Sequence, residues 1–108
     1  MDIQLLKTFC MVARLGNITQ AAEQLNFTQP AVSAQIRTLE EHFGVPLFER
    51  IGKKLYITEA GSYLVEPAEK MLALYSETFH HLGSIAAGAP IRIALSTNYI
   101  NHILSPAL

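Results

Sequence analysis

The sequence predicts a mainly α-helical chain: three short helices, a two-stranded β-hairpin, then one long helix. Three observations predict it. Apolar residues recur at spacings of three and four in the first 43 residues, in runs closed by Gly16, Asn26 and Gly44. Residues 45–58, VPLFERIGKKLYIT, are too short and broken for a helix and read as two strands about Gly52. Residues 59–87 carry a heptad-like apolar seam.

In residues 3–15 the spacing puts Ile3, Leu6, Phe9, Cys10 and Ala13 on one helical face, and Gly16 is the stop. Asn17 suits the N-cap of a second helix over 18–25, with Gln20 as its reciprocal partner and Ala21, Ala22 and Leu25 facing inward. Two adjacent alanines let a neighbouring helix come close. Asn26 and Phe27 make a short turn. Thr28 caps a third helix, and Pro30 falls in its first turn, where a missing N–H costs nothing. Val32, Ile36, Leu39 and Phe43 share a narrow sector of that helix and are expected in the core. Leu47–Arg50 and Leu55–Thr58 are the expected strands of the hairpin.

Thr58 caps the long helix. Val65, Leu72, Phe79 and Ala86 are seven apart in it, and Ala68, Tyr75 and Leu82 interleave with them. Leu64, Met71, Leu74 and Ile85 form a second stripe, so the helix needs more than one neighbour. One is the domain it grows from, and the other is expected to be a second copy of the chain. Pro67 is expected to bend the helix or shift its axis. The organisation predicted is a domain of three helices and a hairpin over 1–58, a linker and dimerisation helix over 59–87, a hinge at 88–90 and the start of a truncated second domain over 91–108.

Half of the 108 residues are hydrophobic and 16% are charged, enough apolar material for a core. No stretch approaches the roughly 18 apolar residues of a membrane span, and the first residues carry no basic signal-peptide region, so a cytoplasmic protein is expected. The lone Cys10 cannot form an internal disulfide. The net charge of −1 does not by itself point to nucleic acid, but its distribution does. Residues 50–58 hold three basic residues and no acid, and 26–39 hold one basic residue and no acid.

Helix, short turn, helix is the helix-turn-helix pattern, and the hairpin after it is a wing. In that geometry the third helix, residues 28–43, lies in the major groove of double-stranded DNA with its N-terminal end leading. Its outward face carries Pro30, Ser33, Ala34 and Arg37, with Gln29 at the leading edge. That face is small or polar, where a solvated surface helix would mix Glu and Lys. Gln can bond adenine bidentately, Ser can bond any base, and Arg can reach guanine or phosphate. Arg50, Lys53 and Lys54 of the wing would face a flanking phosphate strand or the minor groove. Thr19, Thr28 and Thr38 complete the candidate set.

The run TQAAEQLNFTQPAVSAQIRTLEEHFGVPLFER (residues 19–50), followed by TEAG (58–61), closely resembles the N-terminal region of LysR-type bacterial transcription regulators. The resemblance covers residues 2 to 90 and continues weakly through IRIALS and ILSPAL, which look like the opening of the family's effector-binding domain. It implies a homodimer, or a tetramer of the longer protein, on a partly dyad-symmetric operator. It implies paired linker helices and a small-molecule inducer taken by a C-terminal domain. It also implies that Gln29, Pro30, Ser33 and Ala34 approach bases and that Lys53 contacts backbone. Many members carry a basic residue where this chain has Ala34, which can offer apolar contact to a thymine methyl.

Other functional classes find less support. Ser33 and Ser62 have no His/Asp constellation to activate them, so no enzyme is expected. His42, His80, His81 and His102 lack metal-ligand spacing, and no metal or cofactor is expected in residues 1–108. Cys10 reads as a small core hydrophobe. Arg50 could instead pair with an acid to brace the wing. The competing binding reading is a winged helix that docks protein rather than DNA.

Overall fold

A computed structural model describes residues 1–88. Its elements are α1 (Ile3–Leu15), α2 (Ile18–Leu25), α3 (Gln29–Phe43), β1 (Phe48–Ile51), β2 (Lys54–Ile57) and α4 (Glu59–Gly88). The expected fold class is the one observed. The expected second domain and most of the hinge lie outside the described residues, and Gly88 is the last residue of α4. The chain divides into two units, Met1–Thr78 and Phe79–Leu108.

Each short helix begins where a side chain can take over an orphan N–H. Asp2 accepts from the Gln4 N–H at 3.0 Å, Asn17 from Gln20 at 2.9 Å, and Thr28 from Ala31 at 3.2 Å. Each ends on a left-handed residue, Gly16, Asn26 or Gly44. At the α2–α3 junction Asn26 takes φ +59°, and the Phe27 N–H reaches back to the Ala22 carbonyl at 2.9 Å. This Schellman-type closure turns the chain within three residues.

Leu6, Phe9 and Val12 from α1 pack with Ala21 and Ala22 from α2 and with Val32, Ile36 and Leu39 from α3. Leu47 and Ala68 close this core, and the Phe9 ring meets Phe48 of the wing at a centroid distance of 5.5 Å. Along α1 the buried stripe includes Thr8 and Val12, while Ile3, Cys10 and Ala13 are only partly covered. Burial pushes the Cys10 thiol pKa up, the Glu69 carboxylate adds to the rise and Arg14 opposes it. That fits a packing role rather than a reactive thiolate.

Phe43 departs from expectation. It falls in the core sector of α3 yet is 42% exposed. A helical wheel gives an angle and no height. On the last turn of α3, Phe43 lines an open apolar groove with Val45, Tyr63 and Leu64 instead.

The hairpin sits one residue nearer its turn than expected. Phe48 pairs with Ile57 and Ile51 with Lys54, which leaves Gly52-Lys53 as a two-residue turn. Gly52 has φ +63° and Lys53 does not share the positive φ, the type II′ arrangement that matches strand twist. Leu47 and Thr58, expected in the strands, keep one bond across the hairpin, from the Thr58 N–H to the Leu47 carbonyl at 3.0 Å, but their other groups are engaged elsewhere. The Glu40 carboxylate accepts from the N–H groups of Leu47 at 2.7 Å and Phe48 at 3.3 Å. The Thr58 hydroxyl donates to the Pro46 carbonyl at 2.7 Å and accepts from the Gly61 N–H at 3.0 Å, capping α4.

α4 is continuous through Pro67. Its first turns press on the wing so closely that a Cβ at Gly61 would lie 2.3 Å from the Leu47 carbonyl oxygen. Ala68, expected at an interface between copies, is instead in the chain's own core at 0% exposure. Val65 and Leu72 of the same seam are partly buried against that core. The domain itself covers Ala68 wholly and Val65 and Leu72 in part. Among the described residues no helix is long and apolar enough to cross a membrane.

Candidate nucleic-acid interface

The type II′ turn projects Lys53 at the hairpin tip, and the register sets Lys54 opposite Ile51 and Arg50 opposite Leu55. Leu55 and Phe48 lean on the core, which anchors the wing to the helical domain. The wing thereby faces the start of α2 and the leading residue of α3. Together they form a polar cleft of about 370 Å³, lined by Asn17, Ile18, Thr19, Gln29, Arg50, Lys53, Lys54 and Tyr56 among others.

Five sequence-predicted residues therefore meet at one place: Thr19, Gln29, Arg50, Lys53 and Lys54. Three are cationic side chains from the wing. No described carboxylate pairs with Arg50, whereas Lys70 and Glu66 on α4 form an exposed ion pair at 3.1 Å. The alternative bracing role for Arg50 thus finds no partner among the described residues. The cleft also receives the N-terminal end of α2, whose free N–H groups and dipole add positive potential. Cationic side chains, N–H groups and hydroxyls around one concave surface suit a phosphate backbone.

The rest of the set lies along α3. Pro30, Ala34, Arg37 and Thr38 are exposed and Ser33 is half-covered. These residues leave a low surface past which a helix backbone can approach a flat partner. Two hydroxyls are already engaged. Thr28 spends its oxygen on the Ala31 N–H, and Thr38 donates to the Ala34 carbonyl at 2.9 Å. Thr28 is accordingly a helix cap first.

Sequence reasoning did not single out Tyr56, Asn17 as a cleft residue, or Glu40. Tyr56 is an exposed aromatic on a basic hairpin, a signal that could have found it. Glu40 looks like an ordinary surface acid in the sequence, yet its carboxylate fixes the base of the wing. Of the α4 seam, Tyr75, Phe79, Leu82 and Ala86 are exposed, along with Met71, Leu74 and Ile85 of the second stripe.

Comparison with known proteins gives a consistent picture. A family model described as "Bacterial regulatory helix-turn-helix protein, lysR family" matches residues 3–62. An uncharacterized HTH-type transcriptional regulator of Azotobacter vinelandii is 36% identical over 99 residues, 92% of this chain and 69% of the relative. The HTH-type transcriptional activator CmpR of Synechocystis is 45% identical over 65 residues, 60% of this chain and 21% of the relative. The chain thus spans most of the first relative and about a fifth of the second. Among solved structures, the BenM DNA-binding domain in complex with catB site 1 DNA superposes with a TM-score of 0.76 at 31% identity, over 82% of this chain and 100% of that one. The CbnR DNA-binding domain–DNA complex gives 0.74 at 34% identity, over 80% and 99%.

Proposed function

This chain belongs to the lysR family of bacterial regulatory helix-turn-helix proteins, and from that premise we propose that it binds operator DNA sequence-specifically as a homodimer. In this reading α3 enters the major groove with Gln29, Pro30, Ser33 and Ala34 toward base edges. Arg37 and Thr38 lie further along the helix toward the groove wall. The wing, with Arg50, Lys53 and Lys54, and Thr19 at the start of α2 grip the flanking backbone or minor groove. The observation that carries the reading is the polar cleft, where three wing cations converge with Thr19 and Gln29. It joins a base-reading helix to a backbone-gripping hairpin. The two DNA-bound domains that superpose on this fold support the same assignment.

The exposed part of α4, from Leu74 to Ala86, is the proposed surface for the second copy, and a tetramer is the proposed assembly of a longer chain. Two copies would present two α3 helices to the halves of a dyad. DNA contact as read here uses side chains and backbone N–H groups and needs no metal or cofactor. A small-molecule inducer would act outside the described residues. The cytoplasm, where bacterial DNA is, is the proposed location.

Selection of bound duplexes from random DNA, followed by a salt titration on the winner, tests the proposal. The expected result is a dyad-related sequence whose log affinity falls linearly with log salt, by about 0.9 per phosphate contacted. Enrichment of no sequence together with salt-insensitive binding would reject it in favour of a protein-docking module.

A further inference from the structure

Thr8 alone, among the described residues, is both polar and buried, at 0% exposure. An apolar residue of similar shape would fill the site with no hydrogen bond to satisfy. Thr8 instead accepts from Gln4 Nε2 at 3.3 Å and donates to Gln35 Oε1 on α3. A helical threonine can return its hydroxyl to the carbonyl four residues back, as Thr38 does to Ala34. The Thr8 proton goes across to another helix.

The rest of the α1–α3 contact is apolar: Leu6, Phe9 and Val12 against Val32, Ile36 and Leu39. Apolar burial is non-directional and resists separation better than it resists a small roll. A hydrogen bond between side chains has a direction and fixes the roll. At about 100° per residue, Gln35 lies roughly 120° and 160° around α3 from Gln29 and Ser33, with the buried sector between them. Pinning Gln35 on one flank therefore sets where Gln29 and Ser33 fall on the other. A roll of about 10° would move a side-chain head about 1 Å, given a helix radius of about 5–6 Å. Productive recognition geometry tolerates about 0.5 Å.

We propose that the Thr8–Gln35 hydrogen bond is a positioning device that holds the roll of α3, and with it the discrimination between base sequences, from the far side of the helix. The inference rests on the reading of α3 as the base-contacting helix. Thr8 and Gln35 are positioning residues, and affinity for DNA in general belongs to the wing and the cleft.

The test uses the 108-residue chain, the duplex it selects from random DNA and a base-scrambled duplex of equal length. Thr8→Val is expected to lower the selected-to-scrambled affinity ratio about tenfold, comparable to the loss of one base contact. Scrambled-duplex affinity and salt slope should stay at wild-type values, and Thr8→Ser, which keeps the hydroxyl, should retain the ratio. The Thr8→Val/Gln35→Leu double variant restores an apolar contact and guards against simple unfolding. It is expected to melt near the wild type and still lack discrimination. A folded double variant with the wild-type ratio overturns the proposal. Gln29→Ala separates this inference from its premise. If Gln29→Ala loses discrimination while the double variant keeps it, α3 reads bases and only the positioning role falls. If the wild-type chain itself prefers no duplex, both fall.

Discussion

Val65, Ala68 and Leu72 in the first half of α4 and Leu82 and Ala86 in its second half belong to one seam of three- and four-residue spacing. Ala68 is wholly buried, and Val65 and Leu72 are partly covered by the helical domain. Leu82 is 59% exposed and Ala86 is exposed too, as are Leu74 and Ile85 of the second stripe, at 64% and 47%. The same periodicity thus has two outcomes on one helix. A stripe in the sequence says that a face wants cover. It does not say whether the cover is the chain's own core or another molecule.

The covered half should be sensitive to added volume. Gly61→Ala places a methyl 2.3 Å from the Leu47 carbonyl oxygen and 2.7 Å from Ile57 Cγ1, and the backbone oxygen cannot yield cheaply. We expect a loss of about 3 kcal/mol or more, read as a fall of roughly 10 °C or more in the thermal midpoint by circular dichroism. A midpoint within a few degrees of wild type would show that the wing can slide off α4.

Ala68→Leu comes next. Overpacking a fully buried alanine should cost about 1–3 kcal/mol, measured by urea denaturation and independent of protein concentration. A loss that appeared only at concentrations where copies associate would return Ala68 to an interface between copies. The smallest effect on folding is expected in the bare half. Leu82→Asp should change the stability of the helical domain by less than about 0.5 kcal/mol. It should nevertheless abolish association by light scattering and remove the concentration dependence of melting. A dimer that survived the charge would move the interface off this stretch. Leu72→Asp would be a poor substitute, because Leu72 also touches the core and its loss would mix the two effects.

The helices and their caps were legible because the signals are local. Asn17, Thr28 and Thr58 cap the helices that their positions announced. The strands came out one residue off because the Leu47 N–H, which would complete the pair with Thr58, goes instead to Glu40, 7 residues away, a use that depends on the fold. In the site, Gln29 and the wing cations were readable from residue type and placement. The cleft that unites them with Thr19 was not, since it depends on how the hairpin leans on Phe9 through Phe48. The Thr8–Gln35 bond joins residues 27 apart, beyond any spacing rule.

The sequence by itself determined the element order, the helix ends, the polar face of α3 and the LysR-type motif that identified the family. Backbone geometry makes those properties of neighbouring residues. Tertiary structure decided that Phe43 stays outside, that Ala68 goes inside, and that Thr8 and Glu40 tie α3 to its surroundings. Each of these turns on which surface stands a few ångströms away at a given height along a helix. A one-dimensional period carries the angle around a helix but not that distance.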